Sequence, residues 1–210
     1  MIEHLAIELG PARLQLLADR AVYWPAQQML VIADLHLGKG DVFRRQGIAI
    51  PRGGTGQDLQ RLETLLSLTG ARRLMILGDV LHGAANAAHW QQQWADFVAR
   101  WPQVCMQAVL GNHDRALRTA RLPLELFGEE LVLDGVILCH ERGDSAAASL
   151  SGHVHPVVRL PGLARALPVF WQDGVQLVLP AFSAFTGGHR LRPAPGHRLY
   201  ACNGEQVLAL

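Results

Sequence analysis

Residues Met29–His36 read MLVIADLH, in which five apolar residues run directly into Asp34-Leu35-His36. A short apolar run that ends in polar residues predicts a buried β-strand followed by a loop. The pattern recurs in RLMILGD (Arg73–Asp79) and in VCMQAVLGNHD (Val104–Asp114). Ligands of open α/β sheets bind beyond the carboxyl ends of the strands. The three strand ends therefore predict one shared functional site.

Two helical segments separate these strands. Residues Thr55–Leu68 place four leucines on one helical face, and Gly70 is positioned to end that helix. Asn86 is the predicted N-cap of the second helix, whose apolar stripe is expected in the core. The stripe consists of Trp90, Trp94, Phe97 and Val98. The first half of the chain is therefore predicted to be βαβαβ with a parallel sheet.

The second half has a different pattern. Asp134-Gly135, Asp173-Gly174 and Asn203-Gly204 each separate two apolar runs, which predicts tight hairpins and antiparallel strands. Two facing mixed β-sheets flanked by helices accommodate both halves. We therefore expect an α/β fold, a four-layer αββα sandwich, formed as one domain by residues 1–210.

Composition narrows the class of protein. Half of the 210 residues are hydrophobic and 18% are charged, as in a folded globular protein, and the net charge of +1 neither favours nor excludes a nucleic-acid partner. Cys105, Cys139 and Cys202 are far apart, so neither a disulfide framework nor a structural zinc site is expected. The sequence shows no signal peptide and no run of eighteen apolar residues, which indicates a cytoplasmic protein without a membrane span.

Five polar blocks follow the predicted strands. They are Asp34-Leu35-His36, Gly78-Asp79, Gly111-Asn112-His113-Asp114, Cys139-His140-Glu141 and Gly152-His153-Val154-His155. In an extended segment residues i and i+2 project to the same side, so the pairs Asp34/His36 and His153/His155 can each chelate an ion. Carboxylate, imidazole and amide donors without a thiolate suit Mn²⁺, Fe²⁺ or Zn²⁺ in a catalytic site. The glycines before the ligands are expected to let the backbone approach the metals closely.

In order, these blocks read D-x-H, G-D, G-N-H-D, H and G-H-x-H, and they resemble the calcineurin-like metallophosphoesterase superfamily. The resemblance implies two divalent ions, with manganese expected and iron, zinc or magnesium as alternatives. One ion would be held by Asp34, His36, Asp79 and His155. The other would be held by Asp79, Asn112, His140 and His153, so that Asp79 bridges. A hydroxide bridging the metals would then attack phosphorus in line. His113 would protonate the leaving oxygen or stabilise the equatorial charge of the phosphate, and Asp114 would orient the ring of His113.

Three longer segments resemble a bacterial subgroup, the ligase-associated DNA damage response endonucleases (PdeM). They are DLHLGKGDVFRRQGIAIPRGGT (34–55), SGHVHPVVRL (151–160) and LPAFSAFTGG (179–188). The resemblance implies a DNA endonuclease linked to repair, with DNA as substrate and proteins associated with repair ligases as partners. A phosphodiesterase or phosphatase for small or cyclic nucleotides is the alternative, and a catalytically silent binding protein is a minor one. The sequence leaves the native metal and the oligomeric state open.

Basic residues near the blocks are candidates for substrate phosphate. Lys39, Arg44, Arg45 and Arg52 follow the first block, where they could contact flanking phosphates, although a solvated basic loop explains them as well. Arg142, directly after His140-Glu141, is a better candidate for binding the scissile phosphate or its neighbour. His82 lies three residues beyond Asp79 and either contacts the metal ligands or caps its loop.

Overall fold

A computed structural model describes residues 3–49, 53–82, 88–118, 122–192 and 194–210, and it contains two β-sheets. Predicted features that involve Asn86 and Arg52 lie outside the described residues. The first sheet consists of β1 (His4–Leu9), β2 (Ala12–Leu17), β3 (Ala21–Trp24), β4 (Met29–Ala33), β5 (Arg73–Leu77), β6 (Cys105–Val109) and β7 (Glu125–Leu126). The α-helices of the described part are α1 (Lys39–Arg45), α2 (Gly54–Thr69) and α3 (Ala88–Arg100). Short 3₁₀ turns span Pro25–Gln27 and Asp114–Arg118.

The first sheet follows chain order from β1 to β7. Strands β4 to β7 are parallel, and α2 and α3 lie between β4, β5 and β6 along the chain, so the predicted βαβαβ unit is confirmed. Strands β1 to β4 form an antiparallel meander that was not predicted. Residues in β1 alternate in burial, as expected for a strand with one face on the core.

The second sheet is also mixed. It contains β8 (Glu130–Leu133), β9 (Val136–Cys139), β10 (Ala148–Ser151), β11 (Pro156–Val158), β12 (Leu167–Asp173), β13 (Gln176–Val178), β14 (His189–Arg190), β15 (His197–Cys202) and β16 (Val207–Ala209). Strand β10 is parallel to both β9 and β13, which the hairpin signals alone did not predict.

The predicted hairpins are confirmed, with differences in turn position. Asp134 and Gly135 form the two-residue turn between β8 and β9, and both have positive φ. Asp173 is instead the last residue of β12 and pairs with Gln176. That turn therefore begins at Gly174, one residue later than predicted. The loop that begins at Asn203 has four residues, because Cys202 pairs with Val207.

Apolar side chains form a core between the sheets and a second core under the helices. Along β4, Val31 joins the core between the sheets and Ile32 joins the helical side, which explains why this strand is apolar throughout. The α/β fold with two mixed sheets is confirmed. In the described residues, however, α2 and α3 pack on the first sheet and α1 packs on α2, so the expected second helical layer is not seen. The outer face of the second sheet instead carries a small cluster of side chains around Val169 and Leu199. A single domain over residues 1–210 stays a prediction.

Strand register brings the predicted ligands to one edge. Ala33 pairs with Leu77 and Leu77 with Val109, so the loops after β4, β5 and β6 leave the first sheet side by side. In the second sheet, the N–H of Gly152 donates to the carbonyl of His140 at 2.9 Å, which aligns the ends of β9 and β10.

Candidate metal centre

The backbone is unusual at the predicted ligands. Five of the seven have positive φ: Asp34 (55°), His36 (49°), Asp79 (48°), His153 (69°) and His155 (51°). Residues with a Cβ populate this region sparsely, at a cost of about 1–3 kcal/mol each, and such residues cluster at functional sites. The expectation that extended segments present these side chains is therefore wrong. Left-handed turns direct them instead.

Three glycines are required by close packing around the ligands. A Cβ at Gly78 would lie 2.5 Å from Cγ of His140, and one at Gly152 would lie 2.7 Å from Oδ2 of Asp34. A Cβ at Gly111 would collide with the backbone nitrogen of Asp79. The expected close approach is thus to the ligand residues themselves.

Asp34, His36 and His155 form the first group. One ligand atom from each lies within 4.8 Å of the others. Asp34 is fully buried, and its Oδ1 is 3.2 Å from Nε2 of His155. Nδ1 of His155 is 3.2 Å from the carbonyl oxygen of Gly187, and a proton on Nδ1 leaves the Nε2 lone pair directed at Asp34.

The ring of His36 indicates whether a metal ion fits this group. Both of its ring nitrogens are buried, and neither has a hydrogen-bond partner among the described residues. Burial first, and then the charge of Lys39, lower the pKa of His36 to about 2, so its ring is neutral and able to donate a lone pair. Since an unpaired buried imidazole is costly, a cation at this position fits the residues present.

The second group surrounds His140. Its Nδ1 lies 2.9 Å from the carbonyl oxygen of Leu77, which favours the tautomer that donates from Nδ1 and carries its lone pair on Nε2. Three potential metal ligands approach this Nε2: Oδ1 of Asn112 at 3.0 Å, Nδ1 of His153 at 3.1 Å and Oδ1 of Asp79 at 3.5 Å. Converging lone pairs repel one another unless a cation lies among them. This group therefore also fits a metal ion.

One carboxylate is shared by both groups, and a second lies in the group around His140. Asp34 belongs to both sets of closely spaced ligand atoms, the second being Asp34, Asp79 and His140. Asp79, the predicted bridge, contacts the second group through His140. The structure brings together all seven predicted ligands, while the division between two ions and the bridging role of Asp79 stay predictions.

Residues 28–163 match the family model described as calcineurin-like phosphoesterase. This chain belongs to the calcineurin-like phosphoesterase family. A crystal structure of the Pseudomonas putida nuclease MPE is similar over 99% of this chain and 100% of that one, with 37% sequence identity and a TM-score of 0.87. The similarity is consistent with the PdeM-like subgroup.

A second solved structure, the Escherichia coli phosphoesterase Yfce, is 19% identical, with a TM-score of 0.49. The match covers 86% of this chain and 96% of that one, and it is too distant to bear on function. No curated protein matches this chain. Among the described residues of the phosphoesterase, no helix combines the length and the apolar character needed to cross a membrane.

His113 lies at the mouth of the centre. Its side chain is 47% exposed, and its Nε2 lies 4.0 Å from Oδ2 of Asp79. Its backbone N–H donates to Oδ1 of Asp79 at 3.0 Å. The phosphoesterase therefore fixes the backbone of His113 against a predicted metal ligand while its ring remains accessible from solvent.

Asp114 does not orient the ring of His113, which corrects the prediction. Its buried carboxylate accepts three backbone N–H groups, from Val80 at 3.2 Å, Leu81 at 3.0 Å and Gly111 at 2.9 Å. Because both oxygens are used in this way, Asp114 joins the loop after β5 to the loop after β6.

His82 packs among the site histidines. Its ring centroid lies 5.2 Å from that of His36 and 5.4 Å from that of His113. Burial, and then the charges of Lys39 and His113, lower the pKa of His82. Of the two roles considered for His82, contact with a metal ligand is the one that the geometry supports.

The cations predicted to bind phosphate differ in their burial and in their contacts. Lys39 is buried at the start of α1, where Asp34 and Asp79 favour its charge although burial lowers its pKa. Arg44 is paired with Asp41, and Arg45 donates to the backbone oxygen of the same residue at 3.4 Å. The charge of Arg44 is thus matched by Asp41, whereas Arg45 is exposed and makes a long contact with the backbone of its own helix.

Arg142 is engaged elsewhere, contrary to the role predicted for it. Its Nη2 donates to Oδ2 of Asp173 at 3.0 Å, and its guanidinium lies 4.8 Å from the ring centroid of Trp171. These contacts tie Arg142 to β12, so its geometry does not support binding of the scissile phosphate.

The residues that support the backbone of Asp34 were not predicted. The N–H of Ser183 donates to the backbone oxygen of Asp34 at 3.3 Å. The loop of Ser183 is held in turn by Asp58, which accepts the N–H of Ala184 at 3.3 Å, and by Arg61, which donates to the carbonyl of Phe182 at 2.9 Å. An Asp and an Arg three residues apart on a helix are common, so the pair was not distinctive.

Proposed function

We propose that this phosphoesterase is a binuclear-metal-dependent phosphodiesterase that cleaves DNA, with a role in DNA repair. The observation that carries the proposal is the convergence of Asn112, His153 and Asp79 on the Nε2 lone pair of His140, beside the buried unpaired ring of His36. The similarity to a nuclease over the whole chain supports a nucleic-acid substrate. Proteins associated with repair ligases stay predicted partners.

The seven ligands would hold two divalent ions, for which manganese is our first expectation. When bound, such ions supply Lewis acidity to a phosphate and lower the pKa of water. The chain's own contribution is to fix the ligands. The carbonyl oxygens of Leu77 and Gly187 set the tautomers of His140 and His155, so that each ring keeps a lone pair on Nε2.

His113 would donate a proton to the leaving oxygen. It is the exposed histidine at the mouth, and its backbone is anchored to Asp79. Lys39, buried beside the carboxylates, would offset part of the negative charge of the phosphate group that enters.

The test compares three substrates with the manganese-loaded protein: nicked or gapped DNA, a 2′,3′-cyclic nucleotide and a generic phosphate monoester. We expect cleavage of DNA. Rapid turnover of the cyclic nucleotide with inert DNA would replace the proposal with the small-nucleotide alternative. Metal-saturated protein that is inert toward all three would contradict both.

A further inference from the structure

Charge is distributed unevenly along the sequence. Residues 145–204 contain five arginines and one acidic residue, Asp173, in a chain whose net charge is +1. The arginines are Arg159, Arg165, Arg190, Arg192 and Arg198, and all five are exposed. An exposed excess of arginine in a nearly neutral chain is the electrostatic pattern of a surface that binds phosphate.

A groove runs from part of this basic region to His155, one of the predicted metal ligands. A cavity of about 390 Å³ is lined by His155, Arg20 and Arg165. A neighbouring cavity of about 450 Å³ shares Arg20 and Arg165 and adds Arg61. Because they share lining residues, the two cavities form one groove, the arginine groove, that begins at a predicted metal ligand.

The three arginines of the groove differ in how they are held. Arg61 pairs with Asp58 at 3.1 Å and with Asp19 at 3.4 Å, so its charge is largely matched. Arg20 donates through Nη1 to the backbone oxygens of Ala181 at 3.4 Å and Ser183 at 3.3 Å, which fixes its position. Arg165 is exposed and makes no hydrogen bond or ion pair within the described part of the chain. Arg165 is thus the cation available to a ligand.

The lining also indicates what kind of contact the groove can make. No phenylalanine, tyrosine or tryptophan lines it among the described residues. Proteins that bind single strands through their bases use such side chains as stacking platforms. Cations without stacking rings favour contacts to the sugar–phosphate backbone, which are independent of sequence.

We propose that the arginine groove binds the nucleic-acid backbone on one side of the scissile phosphate, with Arg165 contacting a flanking phosphate. This inference rests on the proposed function, because it requires a nucleic-acid substrate. It places the substrate strand along His155 and Arg165, rather than over α1, where Arg44 is paired with Asp41.

The test uses Arg165→Ala, with Arg72→Ala as the matched control. Arg72 is also exposed, but it precedes β5 and so lies at the opposite end of the strand from the metal centre. Binding of a fluorescent oligonucleotide is measured by anisotropy at several salt concentrations, in a His113→Ala background that limits cleavage. Hydrolysis of bis(p-nitrophenyl) phosphate is measured with His113 intact.

We expect Arg165→Ala to weaken oligonucleotide binding about tenfold, as for the loss of one hydrogen bond to a charged group. The slope of log affinity against log salt should fall by about 0.7 to 0.9, the value for one phosphate contact. Arg165→Lys should recover most of the slope. Hydrolysis of the small diester should be unchanged, as should every property of Arg72→Ala.

If Arg165→Ala bound the oligonucleotide with wild-type affinity and salt dependence, the proposed role of the arginine groove would be contradicted, while the proposed function would remain intact. Equal losses in Arg72→Ala would also overturn it, because the effect would then not depend on position. If the parent protein hydrolysed the small diester but neither bound nor cut DNA, the proposed function itself would fail.

Discussion

The carboxylate of Asp114 accepts the backbone N–H of Leu81 at 3.0 Å, so a residue after β6 holds the loop after β5. Val80 and Gly111 donate to the other oxygen. Burial raises the pKa of Asp114, and the three hydrogen bonds oppose that shift by favouring the carboxylate. Asp79 and Asn112 lie on the two loops joined in this way, and His113 follows Asn112 directly.

Asp114→Ala should lower the free energy of unfolding of the metal-free protein by about 1–3 kcal/mol, because three N–H groups lose their acceptor. Urea unfolding followed by circular dichroism measures this. Asp144→Ala is the control, since Asp144 is exposed. Equal stability of the two variants would contradict the account of Asp114 as a link between loops.

The same residue allows a test of its catalytic role. If Asp114 acted only by orienting His113, then adding Asp114→Ala to His113→Ala would cause no further loss of rate. We expect a further loss, because the loop that carries Asp79 also loses support. Steady-state rates of the two single variants and the double variant decide the question.

His113→Ala should leave both metal sites filled and reduce the rate of phosphodiester cleavage by about 10²–10⁴, the range for a general acid. The reason is that its ring is exposed at the mouth and belongs to neither of the closely spaced groups of ligand atoms. His4→Ala, an exposed position on β1, is the control. Full activity of His113→Ala would remove His113 from the mechanism.

Asp79→Ala should reduce bound manganese by more than one equivalent, because a shared carboxylate contributes to both sites. Elemental analysis after dialysis gives the stoichiometry. Asp34→Ala is the informative comparison, since Asp34 belongs to both groups of ligand atoms. Loss of one ion in Asp79→Ala and of two in Asp34→Ala would assign the bridge to Asp34 and contradict the predicted role of Asp79.

Gly152→Ala should weaken metal binding, because its Cβ would lie 2.6 Å from Cβ of Ala33 and 2.7 Å from Oδ2 of Asp34. Overpacking of this kind costs about 1–3 kcal/mol, and here it would displace a ligand. Isothermal titration with Mn²⁺ measures the effect. At Gly143, a Cβ would meet nothing within 4 Å, so Gly143→Ala should bind as the parent does. Similar affinities of the two variants would contradict the packing argument.

Much of the first sheet could be predicted, because apolar runs such as Met29–Ala33 are buried on both faces and end in polar blocks. The turn at Asp134-Gly135 was equally clear, since both residues adopt positive φ. The meander β1–β3 was missed because β1 and β2 lack the unbroken apolar run, ending in a polar block, that identified β4. The parallel pairing of β10 with β9 depends on long-range contacts that local patterns do not encode.

As with the fold, some features of the site could be predicted from the sequence and others could not. The predicted ligands follow from residue type and order, and the structure brings all seven of these residues together. Their left-handed backbone and the link through Asp114 could not be read from spacing, because both depend on contacts between separate loops. Arg142 lies next to His140 in sequence, but its partner Asp173 is supplied by β12.

Anomalous diffraction from crystals grown with Mn²⁺ tests the central claim most directly. We predict two peaks about 3.5–4 Å apart. One should be in contact with Asp34, His36 and His155, and the other with Asn112, His140 and His153. A single peak, or peaks that contact neither group, would contradict the account.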